Sequence, residues 1–305
     1  MPFTVEMTGT NEISPAVLQT LGASFNVPLQ NRLYDQISLT QMANSADQTQ
    51  FKYGRVNKIA LTNGLPILQE YEDPDSTPLT GGSTVFDAVE MGVVVTTTAR
   101  AEAISGGNLG RQAAAAVGLN AAETLDLYAA SVLAGGTNAI FAGSAGTLAG
   151  VGAGDIMSPA LMNRAYTRLA KNRATKNADG TFNAMLTTDQ ILDLKNNSAP
   201  GSWVDVNKYA RPEEIMSGEV GRAFGFRVLE VNILPTLDGG VDVSQAVFFG
   251  ANALGQGVTV APRLGINFTD KMNRFAHYSW YANMVMGIID QSSVFVVNTA
   301  TTVVA

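Results

Sequence analysis

Between residues 109 and 133 apolar side chains return at spacings of three and four. Ala113, Val117, Ala121, Leu125, Tyr128 and Val132 form one stripe, which predicts a long helix with Val117, Leu125, Tyr128 and Val132 in its core. At about 1.5 Å per residue, it would span about 38 Å. Between residues 274 and 290 the period changes to two. Ala276, Tyr278, Trp280, Ala282, Met284, Met286 and Ile288 share one face, which predicts a strand far longer than the usual five or six residues. Shorter signals lie between these two elements. Ser158-Pro159 caps a helix that carries Leu161, Ala165, Arg168 and Leu169 to about residue 173. Residues 177–180 turn the chain and 184–187 read as a strand. Thr188 caps a second helix with Ile191, Leu192 and Leu194, and 225–233, 246–249 and 294–297 are apolar strands.

Residues 51–98 have a different texture. A strand at 55–62 leads to the turn signal Asn63-Gly64, and 69–82 holds two prolines and four acids. A β-branched run returns at 85–98. Together these predict a long two-stranded excursion whose acidic tip carries Glu70, Glu72, Asp73 and Asp75. Such a ribbon is marginal alone in water. Upstream, Pro2, Pro15 and Pro28 among small polar residues predict an extended arm over 1–30 with no core of its own. Leu33, Tyr34, Ile37 and Met42 predict one amphipathic helix within 31–46. The glycine-rich run 135–154 interrupts every pattern and is the best domain boundary.

Composition sharpens this picture. Charged residues are only 15% of 305, which suits a chain that buries much of its surface against its own copies. The net charge of −7 argues against a general nucleic-acid binder, and the absence of cysteine removes disulfides, thiolate nucleophiles and Cys-based zinc sites. No unbroken apolar stretch is long enough to predict a membrane span, and residues 1–20 lack the basic start of a secretory signal.

The order of segments, with several local motifs, resembles the major capsid proteins of tailed bacteriophages with the Hong Kong 97 coat fold. Gly218-Glu219-Val220-Gly221 leading to Phe224-Gly225-Phe226-Arg227-Val228 resembles that family's turn into a central strand of its axial domain. Ala246-Val247-Phe248-Phe249-Gly250-Ala251-Asn252-Ala253-Leu254-Gly255 resembles its next strand and glycine-bounded helix start. Tyr278-Ser279-Trp280-Tyr281 through Gly287-Ile288-Ile289-Asp290 resembles its returning strand. The likeness covers about residues 30–298, and order and spacing carry it. It implies an α+β chain with an N-terminal arm (1–50), an extended β loop (51–98), a peripheral domain with a spine helix (99–154 and 274–305) and an axial α/β domain (155–273). It further implies hexamers and pentamers closing an icosahedral shell around double-stranded DNA, a virion location and assembly in the host cytoplasm. Implied partners are further copies of the chain, a portal, a decoration protein and DNA held without sequence specificity. The family's scaffolding segment is not seen before residue 30, so either a separate scaffolding protein serves or the chain is already mature; the initiator-like Met1 favours a separate scaffolding protein.

Enzyme readings find little support. His277 is the only histidine, and no G-x-S-x-G stands near a serine, so no nucleophile triad is predicted. Gly150-Val151-Gly152-Ala153-Gly154 tempts a dinucleotide reading, but Lys171 and Arg173 stand where its acid should be, so a hinge is favoured. No cofactor or metal is expected. The four tip acids lack EF-hand spacing; they are expected to contact a neighbouring subunit, with Arg100 and Arg111 as candidate partners. The competing readings are a bacterial nanocompartment shell of the encapsulin type and a nucleotide-dependent α/β enzyme.

Overall fold

The computed structural model describes residues 5–8, 15–30, 34, 37–45, 48–57, 59, 70, 78–106, 108–143, 145–196, 219–231, 236–238, 241–268, 270–272 and 274–301. Two sheets and a projecting ribbon organise them.

The first sheet is built around two long antiparallel strands, β12 (Leu254–Phe268) and β13 (Phe275–Ile288). β5 (Val89–Thr98) pairs with the far side of β13. Two short strands, β1 (Val5–Thr8) and β2 (Leu39–Met42), lie parallel along the free side of β12. Helix α3 (Leu109–Ala134) crosses this sheet and α1 (Pro15–Gln30) packs on α3. The face of β13 marked by Tyr278, Trp280, Ala282, Met284, Met286 and Ile288 is buried against α3, as its alternation predicts. On α3 itself Val117 and Leu125 are fully buried, while Tyr128 and Val132 pack against the same core partly exposed.

Helix α3 starts without a side-chain cap from its own Asn108. The short helix α2 (Ala99–Ile104) supplies one instead: Glu102 Oε2 accepts the Gly110 amide at 3.0 Å. A carboxylate at a helix N-terminus also opposes the helix dipole favourably.

The second sheet runs β6 (Ala139–Phe141), β14 (Val294–Ala300), β11 (Asp242–Phe249), β7 (Phe182–Leu186), β9 (Phe226–Glu230), β8 (Glu219–Ala223), with β10 (Thr236–Asp238) on β11. Helices α4 (Pro159–Lys171) and α5 (Thr188–Asn196) belong to the same segment of chain. Ser158 caps α4 by accepting the Leu161 amide, as predicted. The α5 cap is Thr187 rather than Thr188: its hydroxyl accepts the Gln190 amide while Gln190 Oε1 accepts its own, a reciprocal box. β8 and β9 meet at Phe224-Gly225, both at positive φ (53° and 81°), the turn that fits a two-residue hairpin.

Several sequence expectations are corrected. Residues 15–30 are helical, not an extended arm, and Leu21 and Phe25 are buried in the main core. Of the expected helix within 31–46, the described residues show the Ile37 and Ser38 amides donating to the Tyr34 carbonyl, with Tyr34 and Ile37 buried, and then β2 rather than a helix at Leu39–Met42. Leu254-Gly255 opens a 15-residue strand, not a helix. The glycine-rich run holds β6, so it is not structureless. The sheets also interleave across the expected boundary at 273. β12, from the expected axial segment, joins the sheet under α3, while β6 and β14, from the expected peripheral segments, lie in the larger sheet. The cause is burial: every residue of β14 is buried, which an edge of the smaller sheet would not provide.

Candidate assembly surfaces

The ribbon comprises β3 (Gln50–Val56) and β4 (Gly81–Asp87), paired from Gln50↔Asp87 to Val56↔Gly81. The β-branched run expected as one strand over 85–98 divides at Ala88. Residues before it pair within the ribbon, and residues after it, as β5, pair with β13. Residues 58 and 60–62 of the first expected strand lie outside the described residues.

Three aromatic rings anchor the ribbon base. Phe51 and Tyr53 on β3 are buried, and Phe86 on β4 packs beside them with Val285 and Ile289. Their seats are glycines. A methyl group on Gly257 would overlap the Phe51 ring, and one on Gly287 would overlap Phe86. A methyl on Gly255 would lie 3.1 Å from Tyr53. β12 and β13 therefore present a bare backbone surface to the rings, a use of strand glycine that compensates for lost packing.

Polar contacts fix the same base. Arg55 forms an ion pair with Asp290, in the short link between β13 and β14. Asp290 also accepts Ser292 Oγ at 2.8 Å, Ser293 Oγ at 2.9 Å and the Ser292 amide at 3.1 Å. Burial pushes its pKa up, but these hydrogen bonds and Arg55 outweigh that and hold it below the usual carboxylate value. Tyr53 OH donates to the Leu39 carbonyl at 3.3 Å, and Arg173 Nη2 donates to the Ile59 carbonyl at 3.2 Å. A polar cleft of 520 Å³ remains between Arg55, Asn57, Asn172, Asn252 and Gln291.

Among the described residues, several apolar side chains of the ribbon are left open to solvent. Val56 is 63% exposed and Leu79 67%, and Ile59 and Val85 are also exposed. The outer face of α3 shows Leu119 and Leu127, and the β5 edge shows Val89, Val93 and Val94.

The fold as a whole is shared with solved structures. The capsid of Ralstonia phage GP4 matches with a TM-score of 0.68 over 87% of this chain and 87% of its own, at 13% identity. The Cyanophage Pam1 capsid matches at 0.63 over 87% and 89%, at 15% identity. The chain has the Hong Kong 97-type capsid fold. A virus-like particle from Pyrococcus furiosus shares this capsid fold at a TM-score of 0.55 over 92% and 98%, with 10% identity. No known family profile and no curated protein matches the sequence itself.

Within the capsid fold, Glu70 is exposed, and Glu72, Asp73 and Asp75 lie outside the described residues. Arg100 on α2 and Arg111 on α3 are exposed, and among the described residues no ion pair joins either to Glu70. Sequence reasoning missed the anchoring glycines and the Arg55–Asp290 pair. Their only signal was Gly255, Gly257 and Gly287 standing in otherwise strand-like stretches. His277 Nδ1 lies 2.8 Å from the Thr96 hydroxyl, on the sheet face opposite α3. Gly150 to Gly154 fold around Asp155, whose carboxylate accepts the Gly152 amide at 2.9 Å. Among the described residues no group of His, Asp or Glu is arranged to hold a metal ion, and no helix is long and apolar enough to cross a membrane.

Proposed function

We propose that this chain is a structural shell subunit, the major capsid protein of a tailed bacteriophage. The carrying observation is the capsid fold together with a ribbon that shows Val56, Ile59, Leu79 and Val85 to solvent. Side chains of this kind in a two-stranded ribbon call for a cover that a second copy would provide. In this reading the ribbon lies across a neighbour, and its acids, Glu70, Glu72, Asp73 and Asp75, meet basic groups there, with Arg100 and Arg111 as candidates.

The larger sheet with α4 and α5 would be the axial unit, and the sheet under α3 the peripheral unit with its spine helix. Copies form hexamers and pentamers of an icosahedral shell enclosing double-stranded DNA, with a separate scaffolding protein, a portal and a decoration protein as partners. The shell assembles in the host cytoplasm and has no catalytic role. The likeness to the Pyrococcus furiosus particle favours a second reading, a nanocompartment shell of the encapsulin type. A packaged genome separates the two.

The test is direct. Purified chain should sediment as oligomers or shells, visible by negative-stain microscopy, alone or with a phage scaffolding protein. A strictly monomeric species at high concentration under both conditions would overturn the proposal.

A further inference from the structure

Helix α4 concentrates positive charge in a chain that is acidic overall. Its inner face, Leu161, Met162, Ala165 and Leu169, is buried on the larger sheet. On its outer side Arg164, Arg168 and Lys171 stand at helical spacings of four and three, so they form one row about 10 Å long. All three line a cleft of 630 Å³ between α4 and the Asn138 and Phe295 side of the sheet. No carboxylate lines it, and among the described residues none of the three makes an ion pair.

The cleft wall is firmly built. Asn138 Nδ2 donates to the carbonyls of Gln291 at 2.6 Å and Val294 at 3.3 Å, and Asn172 Nδ2 donates to that of Ser292 at 2.9 Å. Thr167 donates to the Asn163 carbonyl at 2.8 Å. The wall amides and hydroxyl are thus engaged internally, and the three cations are left facing the open cleft.

We infer that this cleft is a docking groove for the phosphodiester backbone of duplex nucleic acid. A row of three cations with no acid among them suits a polymer carrying evenly repeated negative charge. An Arg cluster can also hold an acidic peptide, but the three cations here form one even row and the one apolar lining residue, Phe295, is buried, so nothing in the lining reads peptide side chains between the charges. A single strand would call for exposed aromatic platforms, and the lining has none. The lining lies in a cleft beside α4 rather than on a protruding element that could enter a groove of the duplex, so the contact is assigned to phosphate, without sequence preference. The inference deepens the shell reading by assigning the groove to the side facing the packaged genome, and it rests on that reading for its setting.

A short fluorescent duplex of random sequence, titrated with unassembled chain across a salt series, tests it by anisotropy. The wild type should bind with a Kd of about 10⁻⁴ to 10⁻⁶ M at physiological salt. The triple variant Arg164→Gln, Arg168→Gln, Lys171→Gln should bind at least about tenfold more weakly, with a salt slope shallower by about 2.7, since each lost phosphate contact removes about 0.9. The double variant Arg164→Lys, Arg168→Lys should keep the slope, as should Arg100→Gln with Arg111→Gln. Circular dichroism should match the wild type, because all three side chains are exposed. Absence of wild-type binding at about 50 mM salt, or an unchanged slope in the Gln variant, would overturn the inference. So would tighter binding in the groove of a peptide spanning residues 68–80. Sedimentation of the same samples keeps the two ideas apart. Shells that form normally from the Gln variant while its duplex binding is lost support the groove, whereas a wild type that binds duplex yet stays monomeric at high concentration, alone and with a phage scaffolding protein, sinks the shell reading and leaves the groove standing.

Discussion

Leu125 lies at the centre of the α3 stripe and is fully buried. Leu125→Asp would put an unpaired carboxylate into that core, at a cost above about 4 kcal/mol, and insoluble protein is the expected outcome on expression. Soluble, assembly-competent material would mean that the stripe faces solvent. Gly287 tests a different kind of packing. Gly287→Ala places a methyl where Phe86 now sits, an overpacking that costs about 1 to 3 kcal/mol. Amide exchange in β3 and β4 should speed up while that of β11 and β14 stays unchanged; equal protection throughout would show that Phe86 moves aside without consequence. The two residues also mark how much of the sequence was legible. Leu125 announces itself by period. Gly287 does not, because a missing side chain gives no sign of the ring that fills its place, and that ring comes from Phe86, 201 positions away.

At the scale of elements, regular period and local caps carried most of what could be read. α3, α4 and β13 lie within a residue or two of their predicted limits because each has one apolar face. The failures share a cause. β12 was hidden by Gly255 and Gly257, which seat ribbon aromatics, and by Pro262, which lies where the pairing with β13 shifts register. α1 was hidden by its prolines, although Pro15 is its first residue, where proline is tolerated. Its docking depends on Gly118, where the α3 backbone comes within contact of Phe25.

The ribbon anchor yields a prediction at this scale. Because the Asp290 pKa is held below its ordinary value of about 4, its contribution is fully present above that value and is lost as the pH falls through the lower folded value. Proteolysis within the ribbon should therefore accelerate below about pH 4. Asp290→Asn should show the accelerated cleavage at neutral pH and lose that pH dependence. A variant cleaved as slowly as the wild type at neutral pH would remove Asp290 from the anchor.

At the scale of the whole molecule, the succession of ribbon, long helix, α/β segment and returning strand was legible in the sequence, whereas the interleaving of the sheets was not. Strand partners as distant as β6 and β14 leave no local mark on the sequence. The proposed contact of the acids at 70–75 with a neighbouring copy is tested at this scale. Replacing Glu70, Glu72, Asp73 and Asp75 with Lys should leave the subunit folded by circular dichroism while lowering shell yield or heat resistance. Each exposed pair is worth only about 0.2 to 1 kcal/mol, but a shell repeats it at every subunit. Raised salt should weaken wild-type shells in the same direction. Normal yield and melting temperature in the four-Lys variant would make the tip a solvated loop.

The grip of Arg55 on Asp290 has a mechanical side. Residues 289–293 are the strap by which the strand under α3 passes into the larger sheet, and the ribbon clasps that strap directly. Thr84 adds a second clasp by donating to the Ile289 carbonyl at 3.4 Å. A pull on the ribbon is thus delivered to the link between the two sheets as well as to β12 and β13 under its rings. A load on the ribbon therefore reaches both sheets at once, so whatever holds it also bears on the joint between them.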